Sequence, residues 1–329
     1  MRRRRLALTG LATAAIASLG LTSLTGCSSS DDAEYTIATA VIASHPALDS
    51  VIAGFEEVLD EEGLDYRLIS ENAQGDQANA TTIASSFASN SDVDLVLAVS
   101  TPIALAVASA EKDRPILFAA VTDPVRDGLV PSWDEAGPNI TGASDLNPES
   151  KPVSLVQEAM PDVTTVGVLY SSSESNSLAQ VEAYQDEAAE LGITIKPQAV
   201  TSAAEITVGL EALAGVDAIL VPTDNTVVAA ISSVVGFGKE KQIPVFCADT
   251  STVELGTVAT RGLSYHDQGR NVGQMAVSIL RDGKSVSDIK PEVTTGTEIL
   301  VNPEAATSFG LTLPESLVSE STVVEMKKD

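Results

Sequence analysis

Thr36-Ile37-Ala38-Thr39-Ala40-Val41-Ile42 runs directly into Ala43-Ser44-His45-Pro46-Ala47-Leu48-Asp49. The opening run is short, continuous and apolar, which predicts a strand buried on both faces rather than a half-exposed one. Pro46 stands where a helix can begin, because its fixed φ suits the first helical position. Leu48, Val51, Ile52, Phe55, Val58 and Leu59 then recur at helical spacing, and Gly63 ends the helix. A buried strand, a polar corner and an amphipathic helix make one βα unit, the repeat from which parallel sheets are built.

The same alternation spreads along the chain. A strand at Tyr66 to Ser70, a helix from about Ala78 to Ser89, a strand at Leu95 to Val99, a helix from about Pro102 and a strand at Ile116 to Val121 complete a first lobe. After the polar join Asp145-Leu146-Asn147-Pro148-Glu149-Ser150-Lys151-Pro152 the pattern restarts. Strand Val163 to Tyr170 leads to a helix with Leu178, Val181, Tyr184, Ala188 and Leu191 on one face. Strand Ile193 to Ala199, helix Ala204 to Leu213, strand Ala218 to Val221, helix Val227 to Gly236 and strand Pro244 to Cys247 follow. The fold class is therefore α/β, with two doubly wound, parallel-sheet lobes. A further helix, Gly269 to Leu280, and a strand-like stretch near Glu298 to Val301 fill the last third.

Ahead of this body, Arg2 to Arg5 form a positive segment and Leu6 to Leu24 an apolar one. Residues 1–26 read as a signal peptide, too short for a permanent membrane span. Leu24-Thr25-Gly26-Cys27 resembles a bacterial lipobox, in which Cys27 takes a diacylglycerol and becomes the first mature residue. Export through the Sec or the twin-arginine route fits the arginine run equally. Residues 27–34 are small, polar and acidic, a flexible tether. The full chain carries a net charge of −27, and removing four signal arginines takes it to −31. Such a charge disfavours nucleic acid and anionic lipid surfaces as partners. After lipidation only Cys247 remains, so no internal disulfide is available.

Catalytic sets are sparse. There are two histidines, His45 and His266. The sequence holds no Gly-x-Ser-x-Gly elbow and no HExxH, CxxC or EF-hand spacing, so neither a metal site nor a cofactor is expected. What it does hold are polar clusters at the C-terminal ends of its strands, where open α/β sheets bind ligands beside helix N-termini. Ser44 and His45 follow the first strand, Ser100 and Thr101 the third, Thr122 and Asp123 the fourth. In the second lobe Glu174, Asn176 and Ser177 follow one strand, Asp224 and Asn225 another, and Asp249 a third. Any one of these is an ordinary helix cap; together, on two facing edges, they would line a cleft. Asp123, Glu174, Asp224 and Asp249 would crowd negative charge that a protonated amine relieves, and the hydroxyls and helix-start amides at Ser100 and Thr101 could hold a carboxylate. His45 reads as a capping or hinge-side residue, and Asp49 as a partner of Ser44.

His45-Pro46-Ala47-Leu48-Asp49, Ser100-Thr101-Pro102-Ile103-Ala104, Ala120-Val121-Thr122-Asp123-Pro124 and Pro138-Asn139-Ile140-Thr141-Gly142-Ala143-Ser144-Asp145 occur in an order that resembles the ABC transporter substrate-binding proteins. Val166-Gly167-Val168-Leu169-Tyr170, Glu174-x-Asn176-Ser177, Pro222-Thr223-Asp224-Asn225-Thr226 and Ile243-Pro244-Val245-Phe246 extend the likeness over residues 35 to 325. The resemblance implies a type I periplasmic-binding fold with a three-segment hinge. Residues 35–146 and 264–285 would form the N-terminal lobe, 147–263 and 286–329 the C-terminal lobe. It also implies a monomeric lipoprotein outside the cytoplasm that captures a small molecule, an aromatic amino acid above others, and passes it to an ABC permease. The ligand contacts it implies are Ser44, Ser100, Thr101, Thr122, Asp123, Glu174, Asn176, Ser177, Asp224, Asn225 and Asp249. Two alternatives share these features: a surface sensor signalling to a membrane partner, and an enzyme using Asp123 or Glu174 as acid or base. Against the enzyme stands the lack of a paired nucleophile and base. Repressors of the same fold are excluded by the lipobox and the missing helix-turn-helix.

Overall fold

The computed structural model describes residues 33–327. The signal peptide, Cys27 and most of the tether lie outside them. In the first lobe, strands β1 (Tyr35–Val41), β2 (Tyr66–Asn72), β3 (Leu95–Val99), β4 (Ile116–Val121) and β5 (Ile140–Ser144) carry helices α1 (Pro46–Glu61), α2 (Gln77–Ser89) and α3 (Thr101–Ala110). In the second, α4 (Pro152–Ala159) precedes β6 (Thr165–Ser171), α5 (Ser175–Leu191), β7 (Thr194–Val200), α6 (Ile206–Ala212), β8 (Ala218–Val221), α7 (Asn225–Val228), α8 (Ile231–Lys241), β9 (Val245–Cys247) and β10 (Ala259–Gly262). The chain ends with α9 (Tyr265–Leu280), β11 (Glu292–Val293), β12 (Glu298–Val301), α10 (Pro303–Ser308), α11 (Glu315–Ser319) and β13 (Thr322–Val323).

The first sheet is six-stranded and parallel, in the order β11-β5-β4-β3-β1-β2. The second is four-stranded and parallel, in the order β7-β6-β8-β9. Both lobes are thus doubly wound, and each reverses direction beside its first strand, at β1/β3 and at β6/β8. Ligands of open α/β sheets bind at such points. β3 and β4 are buried at every position, as their unbroken apolar runs require. Each lobe has its own core, one around Phe55 and Phe118, the other around Leu169 and Phe246. A small third sheet, β10-β12-β13, contributes Ala259 and Val301 to the core of the second lobe.

The chain passes between lobes three times: between β5 and α4, between β10 and α9, and between β11 and β12. The last passage lies later than the expected boundary at 285/286. β11 pairs with β5, Glu292 opposite Ala143 and Val293 opposite Ser144, and Thr141 Oγ1 donates to the Ile289 carbonyl at 2.7 Å. Residues 286–293 therefore cover an edge of the first sheet, and the crossing falls at 294–297. Gln268 of α9 ties these returns together, accepting from Ala120 N at 2.8 Å and donating to Thr294 Oγ1 at 3.2 Å. The helix expected over Val227 to Gly236 is two helices, α7 and α8, with a break at Ala229–Ala230.

α9 reaches the first lobe by lying against α1 at very short range. A Cβ on Gly269 would stand 2.0 Å from the Val51 carbonyl oxygen, and one on Gly54 would stand 2.1 Å from that of His266. Only glycine lets two helix backbones approach this closely.

Candidate functional site

The two lobes meet across a cleft and the cleft is closed. His45, on the corner after β1, turns its imidazole into the opposite lobe. Its Nε2 lies 3.2 Å from Asn225 Oδ1, and its Nδ1 lies 3.9 Å from Asp249 Oδ2. It occupies the N-cap position of α1 without a side-chain capping bond, so its ring serves the interlobe contact instead. At the exposed rim Arg126 of the first lobe pairs with Glu182 of α5 at 2.9 Å. Gln180 of α5 also reaches across, its amide 3.5 Å from Thr122 Oγ1.

The acids of the second lobe are engaged within it. Glu174 Oε2 accepts from Asn225 N at 3.1 Å and Asn225 Nδ2 at 2.6 Å, while Oε1 accepts from Thr226 N at 3.0 Å and Thr226 Oγ1 at 2.8 Å. Asp224 Oδ2 accepts from Ser171 N at 2.5 Å and Ser177 Oγ at 2.6 Å, and its Oδ1 caps α7 through Val227 N at 2.8 Å. Burial and the neighbouring Glu174 charge raise the Asp224 carboxyl above the usual range, and these donors work against that. Asp249 Oδ1 accepts from Ser251 N at 2.8 Å and Ser251 Oγ at 2.7 Å. Glu174 and Asp224 thus staple the β6–α5 corner to the β8–α7 corner.

The other expected contacts divide into two sets. Ser100, Thr101, Thr122, Asn176, Ser177 and Asn225 are all buried at the lobe interface edges. Ser100 Oγ, Thr101 Oγ1 and Asn176 Oδ1 have no protein partner. Ser100 also holds a φ of +91°, a conformation that costs a serine energy and is kept only where the surroundings impose it. Ser44, by contrast, is exposed and donates to Asp49 at 3.3 Å. Asp123 is half-buried and caps its own turn through Arg126 N at 3.0 Å.

A cavity of about 170 Å³ opens on the hinge side of the cleft, walled by Thr122, Asp145, Gln180, Tyr184, Thr223 and Tyr265 among others. Asp145 is the residue the sequence reading missed, because it closes a motif and opens the polar join. It is 9% exposed; Tyr265 donates to its Oδ2 at 3.1 Å, and its Oδ1 has no partner. Burial raises its carboxyl to about 6 and the Asp249 charge adds to the rise, while the neighbouring Thr122 and Tyr265 hydroxyls work against it. Among the described residues no cluster of His, Cys, Asp and Glu could hold a metal ion.

Two α/β lobes clasping a polar cleft, joined by three crossings, define a solute-binding protein of the type I periplasmic class. A family described as ABC transporter substrate binding protein matches residues 36–325, and the chain belongs to it. The tyrosine-binding protein of Clostridioides difficile is 34% identical over 304 residues, covering 87% of this chain and 88% of that protein. The structure of the ABC domain in complex with L-Trp from Streptococcus pneumonia is 36% identical, covers 88% of this chain and 99% of its own, and superposes with a TM-score of 0.84. A conserved domain protein from Vibrio cholerae, 33% identical with coverages of 88% and 99%, gives 0.85. The ligand-free, open structure of CD0873 from Clostridium difficile is also 36% identical, over 89% and 100%, yet gives only 0.65. At equal identity the chain thus superposes better on the liganded relative than on the open one.

Proposed function

We propose that this chain captures an aromatic amino acid between its lobes and delivers it to an ABC permease, without carrying out a reaction of its own. The observation that carries this reading is the closed cleft: it superposes better on the L-Trp complex than on an open relative of equal identity. The similarity to a tyrosine-binding protein supports the same ligand class. From the expected set we take Ser100, Thr101, Thr122, Asn176 and Asn225 as ligand contacts; all five are buried, and orphaned polar atoms on Ser100, Thr101 and Asn176 support that choice. A ligand touching both lobes favours the closed form by its greater affinity for it, and a permease can read that change.

The lipobox-like Leu24-Thr25-Gly26-Cys27 supports attachment of the mature protein to the outer face of the membrane through Cys27. Among the described residues no helix is long and apolar enough to cross a bilayer. Thermal unfolding with L-tryptophan, L-tyrosine and L-phenylalanine tests the ligand. A ligand at about 100 times its Kd adds about 2.7 kcal/mol, which is several degrees in Tm for a protein of this size. A rise with none of the three, in a sample shown by denaturing mass spectrometry to carry no bound small molecule, rules the reading out.

A further inference from the structure

The cleft holds four buried acids, and their hydrogen bonding separates them. Glu174 has two donors on each carboxylate oxygen, and Asp224 has donors on both. Asp249 has two donors on one oxygen and His45 near the other. Asp145 is the one of the four with a buried oxygen, Oδ1, that has no hydrogen-bond partner, although the Thr122 hydroxyl stands close by. The cations on the same cavity wall do not supply one: Lys151 is exposed, and Arg261 is bound to Glu158 at 2.9 Å. A buried carboxylate without a cation is costly, so a site of this kind is completed by a positively charged group.

We infer that Asp145 is the carboxylate that receives the α-ammonium group of the ligand, with Tyr265 holding it in place from the second crossing. The inference rests on the amino-acid reading above and names the group that separates an amino acid from its des-amino counterpart. Asp145 begins the first crossing and Tyr265 begins α9 just after the second, so the ammonium binds to the hinge itself. Tyr265 acts as a positioning residue: its hydroxyl fixes Oδ2 and leaves Oδ1 for the ligand.

Calorimetric titration of the purified chain and of its Asp145→Asn variant tests this. The probes are L-tryptophan, L-tyrosine, indole-3-propionate and 3-(4-hydroxyphenyl)propionate. The wild type should prefer each amino acid to its des-amino acid by on the order of 100-fold, and Asp145→Asn should lose most of that preference. A variant that binds with undiminished preference overturns the assignment and leaves the amino-acid reading standing. If the wild type binds neither amino acid, that reading fails and the assignment with it. Should Asp145→Asn not fold, the wild-type preference is compared at pH 7.5 and pH 5. The groups around Asp145 are Thr122, Tyr265 and Asp249, with Lys151, Glu187 and Arg261 on the cavity wall. A preference that shrinks at the lower pH supports the assignment, and one that persists overturns it.

Discussion

At the scale of single residues, Asp145 makes stability and binding depend on pH in opposite senses. Its folded-state value, about 6, lies above the ordinary 3.8, chiefly through burial. Between these values the folded chain holds a proton that the unfolded chain has released, so this group's contribution to stability falls as pH rises through that window. A bound ammonium favours the ionised carboxylate, so affinity should fall as pH drops below about 6, by up to about tenfold per unit. Titration of L-tryptophan binding from pH 7.5 to 5 should show that fall in the wild type and a flatter profile in Asp145→Asn. Equal slopes in the two proteins would place the titrating group elsewhere. Glu174 gives a contrasting expectation. Replacing it by Ala strands the amides of Asn225 and Thr226 in a buried corner, a loss of about 2–4 kcal/mol in a denaturant titration. The sequence shows that Glu174, Asp224 and Asp249 stand at strand ends, because that follows from the βα repeat. It does not show which oxygens are already occupied, since for Glu174 and Asp224 most of the donors come from corners about fifty positions away.

Among the elements, the long buried strands and amphipathic helices were legible because their periods are regular. β11 has only two residues and carries no periodic signal; it exists because β5 would otherwise be a bare edge. That is why the third crossing was placed too early. The α1–α9 contact was equally hidden, although its glycines were in plain view. Gly269→Ala should set a Cβ against the Val51 carbonyl, a backbone atom that cannot swing away. The expected loss is about 1–3 kcal/mol, as for other overpacked sites, and is read as a lowered urea midpoint. Gly236→Ala, within α8, is the control: nothing lies within 4 Å of its added Cβ. That substitution should leave stability unchanged or raise it by about 0.4–1 kcal/mol, since alanine restricts the unfolded chain. If the two variants behave alike, close helix approach is not what holds α9 to the first lobe.

For the whole molecule the question is what holds the lobes shut. Polar contacts cross the cleft at different depths, among them the buried His45–Asn225 pair and the exposed Arg126–Glu182 pair. An exposed ion pair contributes about 0–1 kcal/mol and is screened by salt, whereas a buried hydrogen bond whose loss strands its partner costs about 1–3 kcal/mol. The depth of burial therefore predicts that His45, not Arg126, sets the closed population. An apparent Kd rises as the binding-competent fraction falls. His45→Ala should then weaken L-tryptophan binding by about fivefold or more, the equivalent of about 1 kcal/mol. In small-angle scattering the same variant should need more ligand to reach the compact profile. Arg126→Ala should stay within about twofold of wild type and lose even that difference in high salt. The reverse ranking would mean that charge at the rim drives closure, and that the imidazole merely fills a space the closed lobes leave for it.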